Sequence, residues 1–416
     1  MIPIDREISV DLIQSASVIA WTTDILRERE GFHKQKIAYI SYRCAQQMGW
    51  EVESCQKAFI IGLIHDCGFS LQSEGGLLLP KMRLNLEQND FKRGYLMLKG
   101  CPPFAQLAEP VLYQKTDWKL LREIRTISCY CKQMAALIHL ASFIERKVSL
   151  EPWDKYQNVT KSVKDRLIQQ VVSYSGTKFH PQHAESIRSL FESDGFWFSM
   201  ESHFIEELSN TSFGGQGSYQ LVGASAAISV AELLLEIIAG KSDFTYIHSV
   251  KVAKLALYLG RKMGYSEENT QMLYLAGLLH DIGKIRTPEY VLHKPSKLDD
   301  EEFTCIKRHA LDSRFLLGKI FQHRNLANWA ANHHERLDGS GYPLGLTAKS
   351  LDEPSRLIAV VDVFQALTQN RPYRSGMPLP QVLEILKHSV SLKQLDSNVF
   401  SYLSRYADEC FSISTA

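Results

Sequence analysis

Seven side chains in the second half of the chain could hold metal: His248, His280, Asp281, His309, His333, His334 and Asp362. Neutral imidazoles and carboxylates ligate metals when they converge in space, wherever they lie in sequence. Adjacent residues on a helix differ by about 100° in direction, so His280 and Asp281 can address different ions, or one ion and a bridge. His333 and His334 offer the same option from another helix. A single catalytic zinc takes three protein ligands, so seven are too many for one ion. Two ions with Asp281 between them would use the whole set. Imidazole suits Fe, Zn, Ni and Cu, carboxylate suits Mn and Mg, and the set contains no cysteine. Two divalent ions, Fe or Mn first, are the expected cofactors.

These residues need helices to position them. Ser249–Met263 places Val252, Leu255, Ala256, Leu259 and Met263 on one face at helical spacing, and Gly264 ends the run. A second amphipathic run, Glu267–His280, delivers His280 and Asp281 at its end. Arg356–Leu367 is apolar and alanine-containing and reads as buried helix. Convincing strand patterns are absent. Ser209–Ser218 is a polar, glycine-rich linker.

The chain repeats itself. Residues 33–69 (HKQKIAYISYRCAQQMGWEVESCQKAFIIGLIHDCGF) align without a gap on 248–284 (HSVKVAKLALYLGRKMGYSEENTQMLYLAGLLHDIGK). In both copies a leading histidine precedes a His-Asp pair by 32 residues. Shared histidines at one spacing favour duplication over chance likeness of helical composition. The expected fold is all-α: tandem helical bundles, a first copy over 1–205, a linker over 206–222 and a second copy over 223–416.

Further motifs carry a family resemblance. His280-Asp281-Ile282-Gly283-Lys284 resembles the signature of HD hydrolases. The run from His333 to Pro343 (HHERLDGSGYP) resembles the HD-GYP extension almost residue for residue. Val361–Thr368 (VDVFQALT) and Arg371-Pro372-Tyr373-Arg374 resemble the family's "ADVFDALTS…RPY(K/R)" block. The resemblance covers roughly Gly240 to Phe411, with its motifs in family order. It implies a bacterial phosphodiesterase that linearises cyclic dinucleotides with two or three metals. The tandem layout resembles phosphodiesterases of 3′3′-cyclic GMP-AMP (cGAMP), with cyclic di-GMP close behind as substrate.

That chemistry assigns further residues. A phosphodiester is anionic and resists water; two metals neutralise its oxygens and make hydroxide available at neutral pH. Lys284 is expected to contact the scissile phosphate and, with Asp281, to carry catalysis. Arg371 and Arg374 match family positions that could bind the second phosphate. Lys294 and Lys297 add charge near a loop, Lys294 as a candidate contact to the substrate phosphate, with a solvated role equally open. Tyr342 is an even choice between substrate and a signalling partner reached through the Gly-Tyr-Pro loop. Glu335 is expected to orient an imidazole. Many relatives carry Glu four residues before the first histidine; here Phe244 stands there and Asp243 is one position off. That favours two metals over three. His293, His323 and His388 match no motif and read as structural.

The first copy keeps His33, His65 and Asp66 but has Phe69 at the Lys284 position. Gln114 and Lys115 fall where the His pair would be, and no Gly-Tyr-Pro follows. His139 is a candidate for the Asp362 place. Gly176–Pro181 (GTKFHP) resembles the family's closing "G-T-x-F-D-P", with His180 for Asp; its counterpart in the second copy is Leu395-Asp396. Hydrolysis is not expected in this copy, though one metal on His33, His65, Asp66 and His139 is conceivable.

Composition bounds the alternatives. Lys and Arg total 47 against 46 Asp and Glu, a net charge of +1. That argues against a chain-wide electrostatic grip on polymeric nucleic acid or an anionic membrane and leaves room for a local basic pocket. The N-terminus lacks a signal-peptide apolar block, and no run has the length of a membrane span, so a cytoplasmic protein is expected. Eight scattered cysteines without a C-x-x-C pair read as reduced thiols. A homodimer is the oligomeric expectation. The competing function is a cyclic-dinucleotide receptor or signalling scaffold without turnover. A complete ligand set plus Lys284 argues for the enzyme, and the Gly-Tyr-Pro block argues against a nucleotidase.

Overall fold

The structure, a computed structural model, describes residues 7–27, 32–69, 90–151, 158–211, 219–239, 241, 243–370 and 375–416. Within these the chain forms two compact units. One comprises 12–69 and 90–220; the other comprises 221–416 together with 7–11.

The first unit is built on His33–Gln47, Val52–Ile64 and Cys129–Leu150, with Leu12–Leu26 and Pro181–Glu192 against them. Its core holds Ile19, Ile37, Phe59, Phe104, Phe179, Phe191 and Phe196, all fully buried. In the second unit Asp243–Lys262, Glu267–Leu279, His309–Ile320, Arg324–Ala331 and Glu353–Thr368 enclose Leu255, Leu259, Leu273, Leu317, Leu357 and Phe364.

The repeat recurs as packing. Asp243–Lys262 lies against Glu267–Leu279 as His33–Gln47 lies against Val52–Ile64. A Cβ on Gly277 would sit 2.9 Å from Ala253 Cα, and one on Gly62 would sit 2.5 Å from Ala38 Cα. Both Gly–Ala pairs are among the residues the copies share. The helix expected over Ser249–Met263 starts earlier than its apolar face predicts, at Asp243, and Gly264 (φ +84°) closes it.

One element departs from the sequence expectation. Glu7–Asp11 and Tyr219–Gly223 pair as a two-stranded sheet. Five residues are too few for a period-two pattern to stand out, and the partners lie far apart in sequence. The strand also places residues 7–11 with the C-terminal unit, where an N-terminal domain from residue 1 was expected. Val10 is fully buried and bridges to Phe321, which makes the assignment physical. The expected linker is a helix, Ser202–Thr211, at one edge and this strand at the other; 212–218 lie outside the described residues. The eight cysteines are free, and six are buried. Among the described residues no helix is long and apolar enough to cross a membrane.

Candidate metal centre

Five segments deliver the seven candidate ligands. His248 lies on Asp243–Lys262, and His280 caps the C-terminus of Glu267–Leu279 with Asp281 next. His309 opens His309–Ile320, and Asp362 sits inside Glu353–Thr368. His333 and His334 ride a 3-10 turn, Asn332–His334, where an α-helix would also have separated their directions. Six of the seven are buried; His334 is partly exposed. Gly283 lets the His-Asp turn approach the His309 helix. A Cβ there would lie 2.1 Å from His309 O. Ser313 Oγ ties the two, accepting from Gly283 N at 2.9 Å and donating to His280 O at 2.7 Å.

The set divides into two groups that share Asp281: His248 and His280 on one side, His309, His333 and His334 on the other. Asp281 Oδ2 faces His280 Nε2 at 3.3 Å and His248 Nε2 at 3.9 Å. Its Oδ1 faces His309 Nε2 at 3.3 Å and His333 Nε2 at 3.7 Å. Asp362 Oδ1 reaches His248 Nε2 at 3.0 Å, while its Oδ2 lies 3.9 Å from His334 Nδ1.

Hydrogen bonds fix the tautomers. Nδ1 of His280, His309 and His333 meets the backbone carbonyl three residues earlier, at 2.8, 2.6 and 2.6 Å. A carbonyl only accepts, so each Nδ1 carries the hydrogen and each Nε2 presents a lone pair. His248 Nδ1 donates to Gln365 Oε1. Nε2 of His248 lies 3.2 Å from that of His280, and Nε2 of His309 lies 3.2 Å from that of His333. Neutral rings with lone pairs opposed at that distance repel unless a cation lies between them. Asp281 Oδ1 is buried and has no hydrogen-bond partner. The donor set therefore fits divalent cations on both sides of Asp281.

The electrostatics agree in the His309 group but not at His280, whose pKa burial lowers and the Asp281 and Asp362 carboxylates raise on balance. Burial holds His333 and His334 well below the usual histidine range and His309 down to about 4, so all three are neutral ligands at pH 7. Burial opposes the Asp281 charge, but His280 and Lys284 outweigh it and hold the carboxyl well below its usual range. Lys284 Nζ lies 2.5 Å from Asp281 Oδ2.

The other expected residues divide. The Tyr342 ring lies 4.6 Å from that of His334, beside the centre. Lys294 is bound by the Glu302 carboxylate, at 2.6 Å to Oε1, and Lys297 is exposed. Arg371 and Arg374 lie outside the described residues, as does the Asp243 side chain. Phe244 is 42% exposed and offers no ligand atom. Glu335 does not orient an imidazole as expected: its carboxylate accepts from Leu344 N and Leu346 N, both at 2.8 Å, and so holds the Gly-Tyr-Pro loop. Gly341 is required in that loop, since a Cβ would lie 2.4 Å from Arg336 N. His323 caps a helix by accepting from Leu326 N, which fits its structural reading. Gln365 was missed by sequence reasoning. It sits in a quoted motif, but nothing in its type announced that it holds His248.

In the first copy, His33, His65 and Asp66 bring ligand atoms within 4.8 Å of one another. His139 is not in this group; its ring lies edge-on to Phe179. Gln114 Nε2 donates to His65 O and offers no imidazole. His180 Nδ1 accepts from Gln182 N and caps its helix, as Asp396 caps the corresponding helix of the second copy.

Comparison with known proteins follows the same lines. The HD domain family profile matches residues 232–399. The chain is 41% identical to "3'3'-cGAMP-specific phosphodiesterase 1" of Vibrio cholerae serotype O1, over 99% of this chain and 96% of the relative. It is 41% identical to "Cyclic di-GMP phosphodiesterase PA4108" of Pseudomonas aeruginosa, over 32% of this chain and 33% of that one. A crystal structure of a cyclic GMP-AMP phosphodiesterase from V. cholerae matches with a TM-score of 0.63 and 20% identity. It covers 96% of this chain and 98% of the other, a likeness of fold.

Proposed function

This chain belongs to the HD-domain family of cyclic-dinucleotide phosphodiesterases, and from that premise we propose that its C-terminal unit hydrolyses 3′3′-cGAMP to a linear product. The observation that carries the reading is one carboxylate, Asp281, flanked by two sets of imidazoles. The relative similar over nearly the full length of both chains is named for cGAMP, whereas the cyclic di-GMP relative aligns with a third of the chain. Cyclic GMP-AMP is therefore the first substrate and cyclic di-GMP the second.

Two Fe or Mn ions are the proposed cofactors, held by His248, His280 and Asp362 on one side and His309, His333 and His334 on the other, with Asp281 between. When bound, such ions supply positive charge at the phosphate and an activated water. The remaining work falls to the chain. Backbone carbonyls hold His280, His309 and His333, and Gln365 holds His248, in the ligating tautomer. Lys284 offers an ammonium to the phosphate as negative charge grows in the transition state. Tyr342 presents an aromatic face beside His334 for a base or the ribose. Arg371 and Arg374 are proposed to take the second phosphate.

The test is turnover of the metal-loaded chain on both cyclic dinucleotides with products separated. Faster cleavage of cGAMP supports the reading. Binding of either dinucleotide without cleavage would make the protein a receptor.

A further inference from the structure

We propose that the N-terminal unit holds a metal site of its own: one divalent transition-metal ion on His33 Nε2, His65 Nε2 and the Asp66 carboxylate. The site is separate from the C-terminal centre and from its chemistry.

Four observations carry it. His33, His65 and Asp66, all in the first unit, each bring a ligand atom within 4.8 Å of the other two. Both tautomers are fixed for ligation. His65 Nδ1 meets Gly62 O at 2.7 Å, and His33 Nδ1 meets the buried Glu145 carboxylate. Oxygen acceptors on both Nδ1 atoms leave both Nε2 lone pairs for the ion. The Glu145–His33 pair is the carboxylate–imidazole arrangement that orients metal-bound histidines and raises their basicity. Ser149 Oγ donates to the same carboxylate at 2.8 Å and holds it in place against that ring.

The fourth observation is a cation. Arg27 Nη1 lies 2.8 Å from Asp66 Oδ2, the oxygen that lies 3.6 Å from His65 Nε2. In the second unit Lys284 takes the same relation to Asp281 and His280. Phe69, at the Lys284 position, lies under the Arg27 guanidinium, 4.1 Å from ring centroid to Cζ. The first copy thus lost the lysine but recovered a cation on the same carboxylate oxygen from a different helix end. Two imidazoles, one carboxylate and open positions suit a mononuclear ion that binds a further ligand. Because Arg27 shares Asp66, the ion competes with a guanidinium, and the site is weaker than one with a free carboxylate.

Cobalt(II) titration of the full chain tests this in a background carrying Asp281→Ala and His333→Ala, which disables both halves of the C-terminal centre. The expected result is one bound equivalent with visible d–d absorption, lost on adding His33→Ala or His65→Ala. Glu145→Gln should weaken binding by ~10–100-fold, the usual effect of removing an outer partner. Arg27→Met should tighten it. Absence of cobalt binding in the background, or binding that survives both histidine substitutions in chains with parental circular dichroism, overturns the proposal. Should a histidine variant fail to fold, Arg27→Met decides: unchanged or weaker cobalt affinity refutes the site. Cleavage of cyclic dinucleotides by the parent is unaffected by any of these outcomes, so the two readings fail separately.

Discussion

Lys284 Nζ lies 2.5 Å from Asp281 Oδ2, and that same oxygen faces His280 Nε2 at 3.3 Å. The lysine is three residues beyond the aspartate, on the 3-10 turn Ile282–Arg286. Its ammonium is thus held at the edge of the centre, with the side chain 22% exposed and able to meet an incoming anion. Lys284→Met keeps the stem and removes the charge. Loss of one such electrostatic contact costs ~10²–10³ in rate. Metal content should stay at the parental level, because Asp281 loses a competitor and no ligand. Turnover assays paired with elemental analysis check this. A parental rate makes Lys284 a bystander, and loss of metal makes it structural.

The shared carboxylate makes a sharper prediction about ligands. His309 faces only one oxygen of Asp281, whereas Asp281 serves both groups. His309→Ala should therefore lower bound manganese by one equivalent of two, while Asp281→Asn should remove both. Loss of a single ion in each variant would show that the aspartate does not bridge. Retention of a third ion by the parent would contradict the argument from Phe244.

Much of this was legible in the sequence because the ligands are rare residue types in a repeated frame. His248 and His280 were found by their spacing, and His309 and Asp362 by ordered motifs. What the sequence hid depends on where polar atoms end up. Glu335 follows the His pair and looks like a partner for an imidazole, yet its carboxylate faces two loop amides. Lys294 looks like a phosphate ligand, yet Glu302 binds it. The strand Glu7–Asp11 has too few residues to signal itself and takes its partner, Tyr219–Gly223, from far along the chain. Arg27 stands in no motif, and only folding brings it to Asp66.

A buried histidine in the first unit predicts acid sensitivity. His183 is fully buried, and neither ring nitrogen has a hydrogen-bond partner. Its neighbours are Trp50 and His180, the latter stacked at 4.4 Å. Burial, and then His180, push its pKa down to about 3. The unfolded chain holds a proton there below about 6.5 and the folded chain does not until about 3, so this stability is present above pH 6.5 and falls with acidification. Going from pH 7 to pH 5 should cost about 2 kcal/mol at this residue. His65, pushed down to about 4, adds in the same direction. Urea midpoints at both pH values, compared between parent and His183→Leu, isolate the term. An equal acid loss in the two chains would sink the argument.

Gln365 gives the last prediction. It is fully buried on Glu353–Thr368, and its Oε1 takes the hydrogen of His248 Nδ1. The interaction keeps Nε2 as the ligating atom and sets the plane of the ring. Gln365→Leu has similar bulk and no acceptor, so the imidazole can turn or change tautomer. Loss of an outer partner of this kind typically weakens metal affinity by ~10–100-fold. Gln365→Glu restores an acceptor and makes the imidazole a stronger donor, as Glu145 stands to His33 in the first copy. It should therefore bind manganese at least as tightly as the parent. Chelator competition with manganese reads both affinities directly and does not depend on turnover. Parental affinity in Gln365→Leu would mean that the surrounding helices alone fix the ring, and Gln365 would then be a buried packing residue.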